Sequence, residues 1–296
     1  MKRLLILSIL ILLPVFAGAQ SLPLLYCPTD ARSAAMGGAG VALSDADAFA
    51  LDNNFAAADL STDVFAIGAT YNRWAPQPSP DTRFAAGGWF RSNQIAIGLS
   101  AKGSFSQPYD IVSPYGETKG SFQPNDYSFA LGAAWRPVPG FALSATGRMV
   151  SSALSEEATG VAFCADLGLM YYYQGLSFGL TACNIGGKIR YGDNAYALPT
   201  LIRGGFAYSF MTVDISAELD YLAGAGVMGG AGIEYWPFSV CCLRAGYHFG
   251  AEDKGLPSFA SAGLGIFVNG FGLDVTALFA SPALGGTILA GVSYRF

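Results

Sequence analysis

The chain has 296 residues, of which 52% are hydrophobic, 14% aromatic and only 12% charged, against about 25% charged residues in an ordinary soluble domain. The shortfall argues against a soluble enzyme, 38 glycines breaking up the apolar stretches argue against a bundle of membrane helices, and so apolar a chain is not disordered. A net charge of −5, from 16 basic and 21 acidic residues, offers no electrostatic footprint for nucleic acid.

At the start of the chain, 1–19 reads as a secretory leader. Lys2 and Arg3 give the positive start, Leu4 to Phe16 the apolar run, and Ala17-Gly18-Ala19 the small-residue cleavage site. The mature chain is then expected from Gln20. Cys27 is not a lipidation site, because it lies well past the apolar run and follows the bulky Tyr26. Five cysteines without a C-x-x-C pair, and His248 as the single histidine, point to no metal and no cofactor.

Residues 20–62 precede the first strand and are too long for a simple lead into a sheet. Ser44 with Asp47 three residues on predicts the cap of one short helix, ended by Asn53-Asn54, while Gly37, Gly38 and Gly40 let the backbone turn or lie close to a wall. The stretch lacks the lysine of a phosphate loop. Asp45, Asp47, Asp52 and Asp59 lack calcium-loop spacing, which leaves capping and solvation as their roles.

From residue 63 onward, alternating segments of bilayer-crossing length follow one another. They are 63–74, 82–91, 94–105, 125–136, 140–150, 160–173, 175–184, 201–210, 212–221, 227–236, 239–249, 259–268, 270–280 and 285–296. Tight turns alternate with longer polar connections, including 106–124, 185–200 and 250–258, as in an outer-membrane barrel. The fold class expected is therefore all-β, a transmembrane β-barrel of about fourteen antiparallel strands over 63–296 with an N-terminal hatch over 20–62.

Strand parity separates two faces. In 212–221, Val213, Ile215, Ala217, Leu219 and Tyr221 oppose Asp214, Ser216, Glu218 and Asp220. The same rule sends Arg83, Arg91, Lys102, Arg136, Arg148, Asp166, Arg203, Glu234, Arg244, His248, Asp274 and Arg295 to the polar face. An ionised group facing lipid near the bilayer middle costs ~2–4 kcal/mol, so that face belongs inside. Periodicity alone also fits a soluble sandwich with the faces inverted; the leader, the low charge and the aromatic strand ends favour the membrane version. Small inward residues such as Gly98, Gly132, Gly179, Gly230 and Gly246 leave room for a hatch, which a barrel of this size needs to fill it. The lumen charges are expected to pair with the hatch and across the lumen. A sharper alternative is a transverse field orienting a polar ligand, in which neutralising Arg91 and Arg148 changes flux without changing assembly.

Cys164 and Cys183 flank one tight turn at nearly opposed inward positions and form a possible disulfide. Tyr294 and Phe296, closing an alternating last segment, resemble the assembly signal of outer-membrane barrels and imply a contact with the barrel assembly machinery. No nucleophile and base can be paired around the single imidazole, so no enzyme is expected.

The run from Ala31 to Ala50, with Arg32, Met36, Gly37, Gly38, Gly40, Ser44 and Asp47, and then Asn53, resembles the N-terminal signature of the PorV/PorQ family, within the FadL-like class of fourteen-stranded outer-membrane barrels. Family members usually carry Asn-Pro-Ala where this chain reads Asn53-Asn54-Phe55-Ala56. The resemblance implies a hatch inside the barrel and a non-enzymatic part in type IX protein secretion or surface attachment, with secretion proteins or exported cargo as partners. The wider class implies instead the passive passage of a hydrophobic small molecule. Outer-membrane lipids surround the barrel on either reading.

Overall fold

Side chains of a strand alternate between two faces, so a sheet whose apolar face meets lipid must bury its other face, and closure into a barrel also removes its edges. The computed structural model describes residues 22–74, 80–251 and 255–296; the expected leader lies outside them. The described residues form one closed antiparallel barrel of fourteen strands. These are β1 (Phe65–Trp74), β2 (Asp81–Ser92), β3 (Ile95–Phe105), β6 (Asn125–Val138), β7 (Phe141–Ala153), β8 (Thr159–Tyr173), β9 (Leu176–Ile185), β12 (Leu201–Phe210), β13 (Val213–Leu222), β14 (Gly226–Phe238), β15 (Cys241–Phe249), β16 (Phe259–Val268), β17 (Phe271–Phe279) and β18 (Ile288–Arg295).

Two of the long connections hold hairpins that alternation did not reveal, β4 (Tyr109–Val112) with β5 (Thr118–Phe122), and β10 (Lys188–Tyr191) with β11 (Asn194–Ala197). Each is too short for an alternating pattern to stand out. The second folds back on the barrel, burying Ile189 against Val150 and Ala162.

Turn chemistry sets the short-turn end. Asn93, Gln174, Met211 and Asn269 all have positive φ, with Gly175 and Gly270 also positive after their partners, the backbone that two-residue hairpin turns require. Pro137 and Pro237 lie within register shifts, between Trp135 and Val138 and between Tyr235 and Phe238. Proline cannot donate to the ladder and is tolerated at such irregularities. The barrel closes where β1 meets β18: the Phe296 carbonyl accepts from the amides of Val64 at 2.6 Å and Phe65 at 2.9 Å.

Outside, the wall is apolar. Leu131, Leu219, Phe163 and Leu99 are each at least 60% exposed, which in water would be costly and in lipid is not. Among the described barrel strands, the charged side chain of outward parity is Arg73, at the loop end of β1.

Inside runs the N-terminal segment. Leu22 and Leu25 pack near the long-loop end against Val150, Ile189 and Leu198. Helix α1 (Ala31–Ala35) packs on β15, β16, β17 and β18. Helices α2 (Ala50–Asn53) and α3 (Ala56–Leu60) face β3, β6, β7 and β8, with Phe55 and Leu51 in one buried cluster with Trp89, Ala134 and Met170. The chain thus descends the lumen from the long-loop end to the short-turn end before entering β1. Of the helix expected from Ser44 to Asn53-Asn54 only the last turn, α2, forms: 44–47 is irregular, and the Asp47 carboxylate accepts from the Phe49 amide at 2.8 Å, an Asx turn rather than a cap. The capped helix is α1, where Asp30 accepts from the Ser33 amide at 2.7 Å.

Candidate functional site

Hatch and wall fit by size. Glycines of the wall stand where the hatch backbone passes. A Cβ at Gly230 would run into the Gly37 carbonyl, one at Gly179 into the Val41 carbonyl, and one at Gly232 or Gly246 into Met36. Met36 is accordingly fully buried. Gly37 and Gly38 turn the chain with φ of 69° and 84°, values that favour glycine, while a Cβ on Gly40 would meet the Asn53 amide oxygen at 2.9 Å. Hydroxyls of the wall bond the hatch backbone: Ser177 donates to the Ala42 carbonyl at 2.6 Å, Ser261 to Ala35 at 2.9 Å and Thr276 to Ala31 at 2.6 Å.

The charged side chains gather into three clusters. In the first, Glu234 accepts from Arg32 of the hatch in a two-pronged pair, 3.2 Å from Nε and 3.0 Å from Nη2, and also from Arg244, which in turn binds Asp274. Arg32 donates a further bond to the Asp45 carbonyl at 2.8 Å. The second cluster joins Asp52 of the hatch to Lys102 at 3.0 Å and Arg148 at 3.2 Å, with Arg148 also 3.0 Å from Asp166. In the third, Arg203 lies 2.6 Å from Glu218 and 3.7 Å from Asp220, and the second oxygen of Glu218 accepts from the Val41 amide at 2.7 Å. Burial alone would raise the Asp52 carboxyl, but Lys102 and Arg148 outweigh it and hold that group below its ordinary value.

The remaining inward groups sit nearer the ends. Arg83 pairs with Asp81 at 3.3 Å and lies 4.6 Å from the centre of the Trp74 ring. Arg91 donates to the Thr62 and Asp63 carbonyls, and Arg136 to the Asn93 carbonyl at 3.0 Å. Asp214 is half-buried opposite Glu234 in the ladder. Arg295 binds Asp45 at 2.9 Å, and Nδ1 of His248 lies 3.1 Å from the Gly37 carbonyl oxygen. Ser44 is half-exposed and Asn53 donates to Asp30 at 3.1 Å. Tyr294 faces outward with its ring 4.8 Å from that of Phe271, and Phe296 is exposed.

Two sequence expectations change. Arg148 is bonded to both Asp52 and Asp166, so its neutralisation strikes the fit of hatch to barrel rather than a free field across the lumen. Cys164 and Cys183 are free thiols. In the ladder Leu167 pairs with Ala182 and Ala165 with Ile185, so Cys183 falls beside the 165–167 stretch and Cys164 lies beyond it; a two-residue offset is already present in the count from the turn, and the register shift widens it.

Sequence reading gave Asn54 only as a helix end, whereas its amide donates to the Val41 and Leu169 carbonyls at 2.9 and 3.0 Å, and it missed Trp89, whose indole donates to the Asp47 carbonyl at 2.7 Å. Inward parity of Trp89 was legible; its partner was not, because that partner is backbone.

Among the spaces that border this hatch, two bear on passage. One is a small interior cavity of about 40 Å³ beside Asp52, Lys102, Arg203, Asp220, His248 and Met228, room for about three waters. The other is a groove of about 740 Å³ on the lipid-facing wall over β1, β2, β3 and β18. Phe65, Ile67, Phe90, Leu99 and Val292 form its sides and Gly68, Gly87, Gly88 and Gly98 its floor. Directly behind that floor lies the hatch: a Cβ on Gly87 would meet the Ala48 carbonyl at 2.8 Å and one on Gly98 the Phe55 ring at 2.8 Å.

No family model and no curated protein sequence matches the chain. Solved structures do match its fold. TodX, described as the toluene transporter of Pseudomonas putida, aligns at a TM-score of 0.66 and 12% identity over 92% of this chain and 99% of its own. TbuX, described as the toluene transporter of Ralstonia pickettii, aligns at 0.65 and 13% over 92% and 98%. A FadL homologue of Pseudomonas aeruginosa aligns at 0.57 and 12% over 94% and 97%. With an apolar belt, a closed sheet of fourteen strands and a filled lumen, the chain has the FadL-like fold of an integral protein of the bacterial outer membrane.

Proposed function

We propose that the protein carries a hydrophobic small molecule passively across the outer membrane, past the hatch and out through the barrel wall into the lipid. The observation that carries this reading is the lipid-facing groove whose glycine floor is all that separates it from Ala48 and Phe55 of the hatch. A wall built of backbone alone is the thinnest that a barrel can offer, and an apolar molecule leaving there meets acyl chains rather than water. The matched toluene transporters support the same reading. The role in type IX secretion implied by the run from Ala31 draws no support from those structures. The protein acts without chemistry: the lumenal carboxylates Asp52, Asp166, Glu218 and Glu234 are engaged in ion pairs rather than held beside a nucleophile.

The test is to fill the groove. Ala86 faces outward on β2 within it, and Ala86→Trp should cut uptake of a radiolabelled neutral arene by cells expressing the full-length chain severalfold. Ala245→Trp, outward on β15, a strand that contributes nothing to the groove, should leave uptake unchanged. Equal uptake by both variants, with both barrels assembled, would remove the portal from the mechanism.

A further inference from the structure

We infer that the transported molecule is uncharged, and specifically that the path rejects amphipathic acids. This rests on the transport reading above and narrows it to one substrate class.

The path has three stages. At the long-loop end, Leu201, Leu222, Met228, Leu256 and Phe259 close over Cys27 and Ala31 of the hatch, an apolar layer. Below it lie the ionic clusters. Each of their cations is already engaged by a buried carboxylate: Lys102 by Asp52 at 3.0 Å, Arg148 by Asp166 at 3.0 Å, Arg203 by Glu218 at 2.6 Å and Arg32 by Glu234 at 3.0 Å. Last comes the groove, and no charged residue lines it.

A carboxylate leaving water keeps its charge only where a cation or donors receive it. Here it would have to displace an internal carboxylate, leaving that one buried and unpaired in its place. Two arginines retain N–H groups without a hydrogen-bond partner, Nε and Nη1 of Arg83 and Nη2 of Arg244. Neither is an open receptor, because Arg83 is held by Asp81 and the Trp74 ring and Arg244 by Glu234 and Asp274. Carboxylates in the same region add to the rejection: Asp52 and Asp220 line the interior cavity, each with a buried oxygen that has no hydrogen-bond partner. A neutral arene or alkane asks for none of this and loses little but water on entry.

The experiment compares ethylbenzene with 4-ethylbenzoate, which share ring and tail and differ in charge. Initial uptake of each radiolabelled compound is measured at neutral pH in cells of a Gram-negative host, with and without the full-length chain. Assembly is verified by the shift in gel mobility of a folded barrel on heating. The expectation is that the chain accelerates ethylbenzene uptake at least about tenfold more than that of the acid. Equal acceleration of both, or preference for the acid, overturns the inference and leaves transport standing. Acceleration of neither by an assembled barrel overturns transport itself. Asp52→Asn and Asp166→Asn each leave a cation uncompensated and should raise acid uptake to within about threefold of ethylbenzene's. Assembled variants that still exclude the acid would overturn charge compensation as its cause.

Discussion

Glu234 binds Arg32 of the hatch and Arg244 of the neighbouring strand at once, so its removal separates two meanings of an inward charge. Glu234→Gln leaves two buried guanidiniums facing one neutral amide. Breaking a buried ion pair by deleting one partner costs ~3–5 kcal/mol; two pairs break at once here, although Arg244 keeps Asp274 and Arg32 keeps Asp45, so the upper end applies, about 5 kcal/mol. Arg32→Met is milder, because Glu234 keeps Arg244 and the Asp45 carbonyl loses only one donor; the lower end applies, about 3 kcal/mol. The double variant should cost about 2 kcal/mol less than the sum of the singles, since the pair they share is counted twice. The assay is reversible urea unfolding of the full-length chain in lipid vesicles, followed by tryptophan fluorescence. Losses below about 1 kcal/mol for both, or a larger loss for Arg32→Met than for Glu234→Gln, would show that this network does not bind hatch to barrel.

Other outcomes follow from the same geometry. Gly230→Val pushes a side chain into the Gly37 carbonyl, so the barrel should assemble while the hatch is unseated, read as raised conductance in planar bilayers and protease cleavage within 31–45. Asp52 has its carboxyl depressed in the folded chain, so its contribution is present above the unfolded value of about 4 and is lost as pH falls through the lower folded value. Below pH of about 4 the wild type should lose stability relative to Asp52→Asn, and a gap that widens with acid would contradict the assignment. Tyr294→Ala with Phe296→Ala should lower the assembled yield in cells while changing the urea stability of the purified barrel by under about 1 kcal/mol, because Phe296 is exposed and Tyr294 is half-exposed with its ring against Phe271 on the outer face.

The strands were legible because lipid enforces a two-residue period: parity placed Val213, Ile215 and Leu219 opposite Asp214, Glu218 and Asp220, and the ladder from Val213 to Leu222 repeats that order. The turns were legible because Asn269 and Gln174 precede glycine. Illegible were features set by partners distant in the chain. Arg32 and Glu234 stand 202 positions apart, and nothing local to either names the other. Asp52 read as a capping acid, since its partners Lys102 and Arg148 come from strands that only closure brings together. The hairpins at 109–122 and 188–197 were hidden by length.

Groove and hatch are not independent parts. Gly68 and Gly87 are direct partners in the ladder, and Ile67 faces Gly88 beside them, so one patch of backbone serves both surfaces of the wall. On the inner side a Cβ at Gly68 would meet the Ala48 Cβ at 2.9 Å; on the outer side the missing side chain at Gly88 deepens the groove. A methyl group added to the inner side therefore pushes the hatch away from the wall without touching lipid, and one added to Gly88 alters the outer face and crowds the Ala66 carbonyl at 2.8 Å. If release runs through this patch, Gly87→Ala and Gly88→Ala should alter arene uptake in different ways: the first through the position of the hatch, with conductance changed too, and the second through the groove alone, with conductance unchanged. Uptake and conductance that move together in both variants would mean that the solute follows the lumen to the short-turn end and the wall is closed.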